Sequence, residues 1–221
     1  MVARELFTVG HSNHSIESFL ALLKKHEITA LADVRSHPYS RYLPHFNKAT
    51  LQQALEKENI YYVFLGKELG ARPDNPACYI EGKAVYEKIA STTLFSEGVD
   101  RVLKGVQKHK IALMCAEKDP LTCHRAILVC QHLKNFDLEI KHILKNGELE
   151  SHHHLEERML AKHGFTQMTD RQQPIQLSLF DSESSPKPSN NLLTREEGLK
   201  KAYQWQGDEI AYVEKVGDGH E

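Results

Sequence analysis

Residues 111–125 read IALMCAEKDPLTCHR and place an unbroken apolar run directly before a charged loop. The run Ile111–Cys115 contains no charged residue, which is typical of a central parallel strand that is buried on both faces. After the loop, Leu121–Leu133 carries apolar side chains at helical spacing and is predicted to form a helix. A strand, a polar loop and a helix in this order indicate one unit of a parallel α/β sheet.

The same unit recurs on both sides of this stretch. Strands are predicted at four further runs, Leu6–Val9, Thr29–Val34, Ile60–Leu65 and Leu138–Leu144. Helices are predicted from Ser15, from Thr50, between Lys83 and Lys108, and over Leu155–Lys162. The sequence therefore predicts a Rossmann-like, three-layer α/β fold with about five mostly parallel strands, followed by a partly flexible C-terminal tail.

Composition divides the chain of 221 residues into three predicted parts. Residues 1–165 form the α/β domain, residues 166–192 have the composition of a linker, and residues 193–221 form a helical appendage. The net charge is −2, but residues 166–221 hold 6 Lys and Arg against 10 Asp and Glu. The body is therefore mildly basic, which excludes a protein that coats nucleic acid by bulk charge but allows a local basic site.

The same composition bears on location and redox state. The longest apolar runs are too short to span a bilayer, and the first residues lack the pattern of a secretory signal. The four cysteines are expected to be reduced thiols, because no export signal places the chain in an oxidising compartment. We therefore expect a cytoplasmic protein with no membrane partner.

Polar side chains follow the predicted strands at the point where each strand ends. Ligands bind at the carboxyl ends of the strands in doubly wound sheets, so these side chains are expected to converge on one site. Arginine suits phosphate recognition, and Arg125 also lies near the start of a helix, where backbone N–H groups favour an anion. The predicted substrate-binding or phosphate-binding residues are Ser12, Asn13, Arg35, Ser36, Arg41, His124, Arg125 and His142.

The chemistry of this site stays open at the level of sequence. Cys115 and Cys123 are either packing residues, or a nucleophile stabilised by Arg125, or metal ligands together with a histidine. The metal interpretation is the weakest, because the spacing of the two cysteines fits no standard zinc knuckle; no metal is therefore predicted, and any cofactor is left undetermined. Asp33 and Glu117 would serve as base and acid, unless Asp33 merely pairs with a neighbouring arginine. The candidate catalytic residues are Asp33, Glu117, Cys115, Cys123 and His11.

Several of these segments also resemble the signature blocks of a known family. The segments at 8–13, 33–41 and 115–125, with a closing block from His142 to Glu156, resemble the family known as domain of unknown function 488. The resemblance covers about Leu6 to His163. It implies a Rossmann-like fold of bacterial or archaeal type and strengthens the predicted site, but it implies no particular reaction.

A short peptide in the tail points to a partner. Gln176, Leu177, Ser178, Leu179 and Phe180 resemble the peptide by which bacterial replication and repair proteins dock on the sliding clamp. Such docking needs an extended, exposed peptide whose apolar side chains fill a pocket. The alternative is that the same residues form an edge strand packed on the body.

Together these features favour an enzyme that acts on nucleic acid or nucleotides, in a DNA repair or modification setting, and is recruited by the sliding clamp. Tethering of this kind raises the local concentration of the site, so the body needs no high positive charge. Two alternatives from other classes are a non-catalytic module that binds nucleotides or DNA, and a sulfur-transfer enzyme that uses Cys115 or Cys123.

Overall fold

The apolar runs assemble into one sheet in the computed structural model, which describes residues 4–165 and 193–214. The strands of this sheet are β1 (Arg4–Gly10), β2 (Ala30–Asp33), β3 (Tyr61–Phe64), β6 (Ile111–Cys115), β7 (Leu138–Ile143) and β8 (Leu149–Ser151). Their order is β3-β2-β6-β1-β7-β8, and all neighbours are parallel except β7 and β8. A separate two-stranded hairpin is formed by β4 (Tyr79–Ile80) and β5 (Lys83–Ala84).

Helices cover both faces of the sheet, so the predicted Rossmann-like α/β class is confirmed. They are α1 (Ile16–Lys25), α2 (Lys48–Lys57), α3 (Gly66–Leu69), α4 (Tyr86–Ala90), α5 (Thr93–Gly105), α6 (Gln131–Leu133), α7 (His152–Lys162) and α8 (Arg195–Ile210). One apolar cluster joins the sheet to α1 and α2 through side chains such as Phe19 and Leu55. A larger cluster on the other face joins it to α5, α7 and α8.

Strand register places the carboxyl ends of the three central strands side by side. In the parallel ladders Gly10 lies opposite Cys115, and Asp33 lies opposite Met114. The backbone of the next residues continues this contact, because His11 N–H donates to the Cys115 carbonyl and Val34 N–H donates to the Met114 carbonyl. Whatever follows β1, β2 and β6 in sequence is thereby gathered at one edge of the sheet.

The segment after β6 differs from the regular helix that its pattern predicts. Pro120–Thr122 forms a 3-10 turn, Arg125–Cys130 is π-helical, and only Gln131–Leu133 is α-helical. A π-helical turn accommodates an extra residue, and such turns are frequent at functional sites. All six residues of the π-helical turn are buried, including the charged Arg125. The 3.6-residue pattern predicted a helix correctly but could not reveal this change of pitch.

Helix α8 packs on the α/β body. It begins with a capping box at Thr194 and Glu197, and its buried face includes Ala202, Tyr203 and Gln206. The Gln206 side-chain amide donates to the Leu121 carbonyl, in the loop that follows β6. The clamp-like peptide Gln176–Phe180 lies outside the described residues. No helix within residues 4–165 and 193–214 combines the length and apolar character needed to cross a bilayer.

A buried chain of hydrogen bonds links the sheet to α8. Thr8 Oγ1 bonds to His142 Nδ1 at 2.8 Å, and His142 Nε2 lies 3.0 Å from His152 Nδ1. His152 Nε2 then lies 2.9 Å from the Tyr203 hydroxyl, which donates to Glu156. Burial and the Lys134 charge lower the pKa of His152 to about 4, although Glu156 opposes this shift, and burial lowers the pKa of His142 as well. The folded protein therefore holds both rings neutral.

These buried hydrogen bonds through His142 and His152 predict that the folded protein loses stability in weak acid. An unfolded histidine has its ordinary pKa near 6.5 and takes up a proton below it, whereas folded His152 stays neutral down to about pH 4. Stability supplied by His152 is therefore complete above pH 7 and is lost as the pH falls from 6.5 towards 4, by about 2 kcal/mol at pH 5. Urea unfolding of wild type and His152→Gln at pH 7 and pH 5 measures this difference, and the variant should lose less stability on acidification. His153→Gln, at an exposed position of the same helix, is the control; equal losses in His152→Gln and wild type would contradict the prediction.

Candidate functional site

A cavity of about 290 Å³ lies where the loops after β2 and β6 face each other at the carboxyl edge of the sheet. Five of the residues that the sequence singles out line it: Arg35, Ser36, Cys115, Glu117 and His124. Cys123 and Arg125 are buried beside them. The expectation of a site at the carboxyl ends of the strands therefore led to a cavity, although some of the predicted side chains line it and others do not.

The loop after β6 is held against β1 by Arg125. Its guanidinium is fully buried and donates to the Glu117 carbonyl at 2.8 Å, while Nε lies 3.4 Å from Thr8 Oγ1. Only glycine fits at position 10, since a Cβ there would lie 1.9 Å from the Glu117 carbonyl oxygen. Among the described residues Arg125 forms no ion pair with a carboxylate at direct contact distance, so its buried charge needs another anion nearby.

That anion comes from the thiol cluster, which consists of Cys115, Glu117, Cys123 and His124. The ligand atoms of these four side chains all lie within 4.8 Å of one another. Cys123 Sγ lies 3.0 Å from Glu117 Oε2, and Cys115 Sγ lies 3.6 Å from His124 Nδ1. Three of the four are buried, and Glu117 is exposed. This arrangement puts one thiol, a carboxyl and an imidazole at the wall of the cavity, and the buried Cys123 thiol beside them.

Acid–base equilibria inside the thiol cluster are strongly perturbed. Burial raises the pKa of the Cys115 thiol. Burial also raises the pKa of Cys123. Its hydrogen bond with Cys115 and the positive charges of Arg125 and His124 outweigh this effect and hold the pKa of Cys123 well below the usual range. Although the Glu117 residue as a whole is exposed, its carboxyl lies 3.0 Å from Cys123 Sγ, and the partial burial of the carboxyl there, together with the Cys123 charge, raises its pKa. The pKa of Cys123 is thus lowered and that of Glu117 is raised, and because the two groups lie 3.0 Å apart beside the buried Arg125, their protonation is coupled.

Asp33 and Arg35 form a closed ion pair at the end of β2. The Asp33 carboxylate is fully buried and accepts from Arg35 Nε at 2.9 Å, from Arg35 Nη2 at 2.7 Å and from the Tyr62 hydroxyl at 2.8 Å. Arg35 also donates to the Phe46 carbonyl. Since both side chains are satisfied by partners within the protein, this geometry favours a structural role for Asp33 over that of a base.

His11 is held in the same network. Its Nδ1 lies 3.0 Å from the Ser12 carbonyl and its Nε2 lies 3.3 Å from Arg35 Nη1, while the ring stacks on Phe46. Burial and the Arg35 charge lower the pKa of His11 to about 4. A neutral ring with both nitrogens engaged positions Arg35 and does not face the cavity.

Four predicted residues lie elsewhere. Arg41 is exposed on the loop after β2 and does not line the cavity, and His142 is buried in the histidine chain. Ser12 has a left-handed backbone with φ of 46°, and the Asn13 amide oxygen accepts from Lys145, so both residues belong to the neighbouring end of β1 and β7. Sequence order alone placed them after a strand, but the direction of each side chain depends on loop geometry.

The cavity also contains side chains that the sequence analysis did not select. Arg72 stacks over the Tyr212 ring, with 4.2 Å between the guanidinium carbon and the ring centroid. Tyr39, 73% exposed, and Tyr86 complete the aromatic lining. Tyr212 reaches the cavity from beyond α8, because the backbone there pairs with β5 through Lys83 and Val213. Tertiary packing of this kind leaves no local signal in the sequence.

Comparison with known proteins identifies a family and nothing further. The family model described as Domain of unknown function DUF488 matches residues 15–131, which is more than half of the chain. The match includes the loops after β2 and β6 and confirms the family, whereas the resembling segments at 8–13 and 142–156 lie outside the matched residues. No similar protein was found among those with curated descriptions, and no similar solved structure was found.

The buried ion pair between Asp33 and Arg35 leads to a prediction about the stability of the protein. Asp33→Asn removes the charge that satisfies buried Arg35, so the free energy of unfolding should fall by about 3–5 kcal/mol. Glu139→Gln is the matched control, since Glu139 pairs with Lys141 on the surface and is 55% exposed there, and it should cost less than about 1 kcal/mol. Urea denaturation measures both. An Asp33→Asn protein as stable as the control would show that the pair is not structural.

Proposed function

Because the chain belongs to the Domain of unknown function DUF488 family, whose description names no reaction, we propose a function from the cavity itself: the protein is an enzyme that processes a nucleotide or a nucleic acid. One observation carries this proposal. A single cavity combines an arginine stacked on an aromatic ring with three members of the thiol cluster, Cys115, Glu117 and His124, and the fourth member, Cys123, is buried next to them. A volume of about 290 Å³ is at the lower end for ligand sites and suits one nucleotide unit.

Arg72 is the side chain best placed to hold an anionic group. Among the described residues it pairs with no carboxylate, and its guanidinium is already oriented by the Tyr212 ring. Arg35 is not available for this role, because Nε and Nη2 donate to Asp33 and Phe46 and Nη1 lies against His11. A phosphate bound by Arg72 would lie against the same cavity wall as Glu117.

Aromatic side chains support recognition of a base. Tyr39 lines the cavity, and Tyr42, further along the same loop, is 89% exposed. Exposed tyrosines next to Arg41 form a surface on which bases of a single strand stack without sequence preference. This surface supports a nucleic acid as substrate as well as a free nucleotide.

Glu117 is the candidate for proton transfer. It faces the cavity, and its raised pKa brings its titration closer to neutral pH than that of an ordinary carboxyl. A sulfur-transfer enzyme is the second candidate function, and the observation that favours it is the contact of Cys123 Sγ with Glu117 Oε2 at 3.0 Å beside the buried Arg125, whose positive charge lowers the pKa of the thiol. In that case Cys123 would be the nucleophile and Glu117 would carry its proton.

Recruitment by the sliding clamp completes the proposal. Gln176–Phe180 supplies the glutamine and the apolar side chains that clamp docking requires, and it lies between the α/β body and α8. A tether of this kind would bring the cavity to DNA without a strongly basic surface. The DNA repair or modification setting rests on this peptide.

Binding through Arg72 is tested with nucleoside monophosphates and a short fluorescent single-stranded DNA. Arg72→Gln should weaken the binding of both about tenfold, because a hydrogen bond to a charged group contributes about 1.5 kcal/mol. Lys57→Gln, at an exposed position that does not line the cavity, should bind as wild type does. Titration calorimetry and fluorescence anisotropy measure the two ligands. Absence of binding to wild type, or equal affinities of wild type and Arg72→Gln, would contradict the proposed site.

Clamp docking predicts a modest affinity. Burial of large apolar side chains contributes about 1.5–3 kcal/mol each, and ordering of the peptide offsets part of this, so a dissociation constant on the order of micromolar is expected. Replacement of Leu179 and Phe180 by Ala should abolish binding in a titration with purified clamp. The double change Met168→Ala and Leu192→Ala, in the same segment but outside the peptide, is the control. Equal binding by all three proteins, or none by wild type at tens of micromolar, would end this hypothesis.

A further inference from the structure

We infer that the thiol cluster is a binding site for one Zn²⁺ ion, with Cys115, Cys123 and His124 as inner ligands and Glu117 as the ligand on the cavity side. The inference rests on the geometry of these four side chains. It does not depend on which substrate occupies the cavity.

The four ligand atoms already have the spacing of a small coordination shell. All lie within 4.8 Å of one another, and the two measured pairs, Cys123 with Glu117 and Cys115 with His124, are 3.0 and 3.6 Å apart. Ligand atoms around a tetrahedral zinc ion, bound at about 2.0–2.3 Å, lie roughly 3.3–3.8 Å apart. Small movements of side chains, without movement of the backbone, would therefore complete the shell.

His124 is oriented as a metal ligand. Its Nε2 lies 3.0 Å from the Val34 carbonyl oxygen, so the N–H at that position donates to the backbone and Nδ1 is directed at Cys115. A hydrogen bond from the second ring nitrogen to a carbonyl is the usual support of a histidine that binds zinc. The loop after β6 is also fixed by α7, because Arg158 on that helix donates to Asp119 at 2.7 Å.

The net charge of the proposed zinc complex also matches the charge of its surroundings. Two thiolates, one carboxylate, a neutral imidazole and Zn²⁺ carry a net charge of −1. Arg125 is fully buried, carries +1, and has no carboxylate at direct contact distance among the described residues, since its Nη donors meet backbone carbonyls. A zinc complex of this composition would therefore be balanced by the charge of Arg125 beside it, which offsets part of the cost of burying either charge alone.

The donor set selects the metal and indicates what the ion would do. Two sulfur ligands and an imidazole favour zinc over the hard cations Mg²⁺ and Ca²⁺, which prefer oxygen. Three buried ligands with a fourth position facing a cavity resemble a catalytic site more than a closed structural one. Zinc at this position would supply a Lewis acid or a bound water to a substrate in the cavity when Glu117 leaves the ion or when the coordination expands to five.

This inference is tested by metal content and by cobalt spectroscopy on the full-length chain. Protein purified after growth in zinc-supplemented medium should contain about one zinc per chain by mass spectrometry. Co²⁺ added to chelator-treated protein should give a thiolate-to-cobalt charge-transfer band together with intense visible bands of a four-coordinate ion. Both signals should disappear in Cys115→Ser and in Cys123→Ser. Glu117→Gln should retain the metal through the three inner ligands but show a changed visible spectrum.

Cys78→Ser and Cys130→Ser are the matched controls, since both cysteines are buried and free but lie outside the cluster, and both variants should keep the metal. Wild type with its native circular dichroism that contains no zinc and gives no cobalt bands would overturn the inference, whatever the variants do. Alkylation of Cys123 by iodoacetamide at the same rate with and without added zinc would also overturn it and would favour sulfur transfer. Either result would leave the Arg72 binding experiment unaffected.

Discussion

The buried positive charge of Arg125 is the constraint on which the candidate site depends. Its guanidinium has no access to water, and its hydrogen bonds go to backbone carbonyls of the loop after β6 and to Thr8. Carbonyls satisfy its donors but leave its charge unbalanced, so an anion must lie close by. The Cys123–Glu117 pair supplies that anion, and the same contacts that bury Arg125 therefore also fix the position of both reactive groups.

The close approach of this loop to β1 has a second cause in the backbone. A side chain at position 10 would collide with the Glu117 carbonyl, so glycine at the end of β1 is what lets the loop reach Arg125. On the other side of the cavity, the Asp33–Arg35 pair is balanced internally and holds the end of β2. Two arginines thus follow two strands, but one is neutralised by its own neighbour and the other by the thiol cluster. Because Asp33 is committed to Arg35, Glu117 is the carboxyl that remains available for chemistry.

Most of the fold and part of the candidate site could be predicted from the sequence, and there are physical reasons why the rest could not. The run Ile111–Cys115 marked a buried parallel strand, and five strands were placed within a few residues of their observed ends. β8 was missed because its three residues show no clear alternation, and the hairpin of β4 and β5 is even shorter. The family was recognised from the motifs, whereas Arg72 and Tyr212 depend on packing between distant segments. Whether Asp33 was a base or a structural partner depended on side-chain directions, which spacing does not determine.

Charge balance explains why thiol chemistry and metal binding are difficult to separate from the sequence. Without a metal, protons on the thiol and imidazole groups limit the negative charge of the cluster, and in a zinc complex the divalent cation would take their place. In both states Arg125 is the fully buried cation beside the cluster. Local geometry therefore becomes the deciding factor. The direction of the His124 ring, set by its hydrogen bond to Val34, is the feature that favours coordination, because it places Nδ1 3.6 Å from Cys115 Sγ, a separation that two ligands of one zinc ion would have.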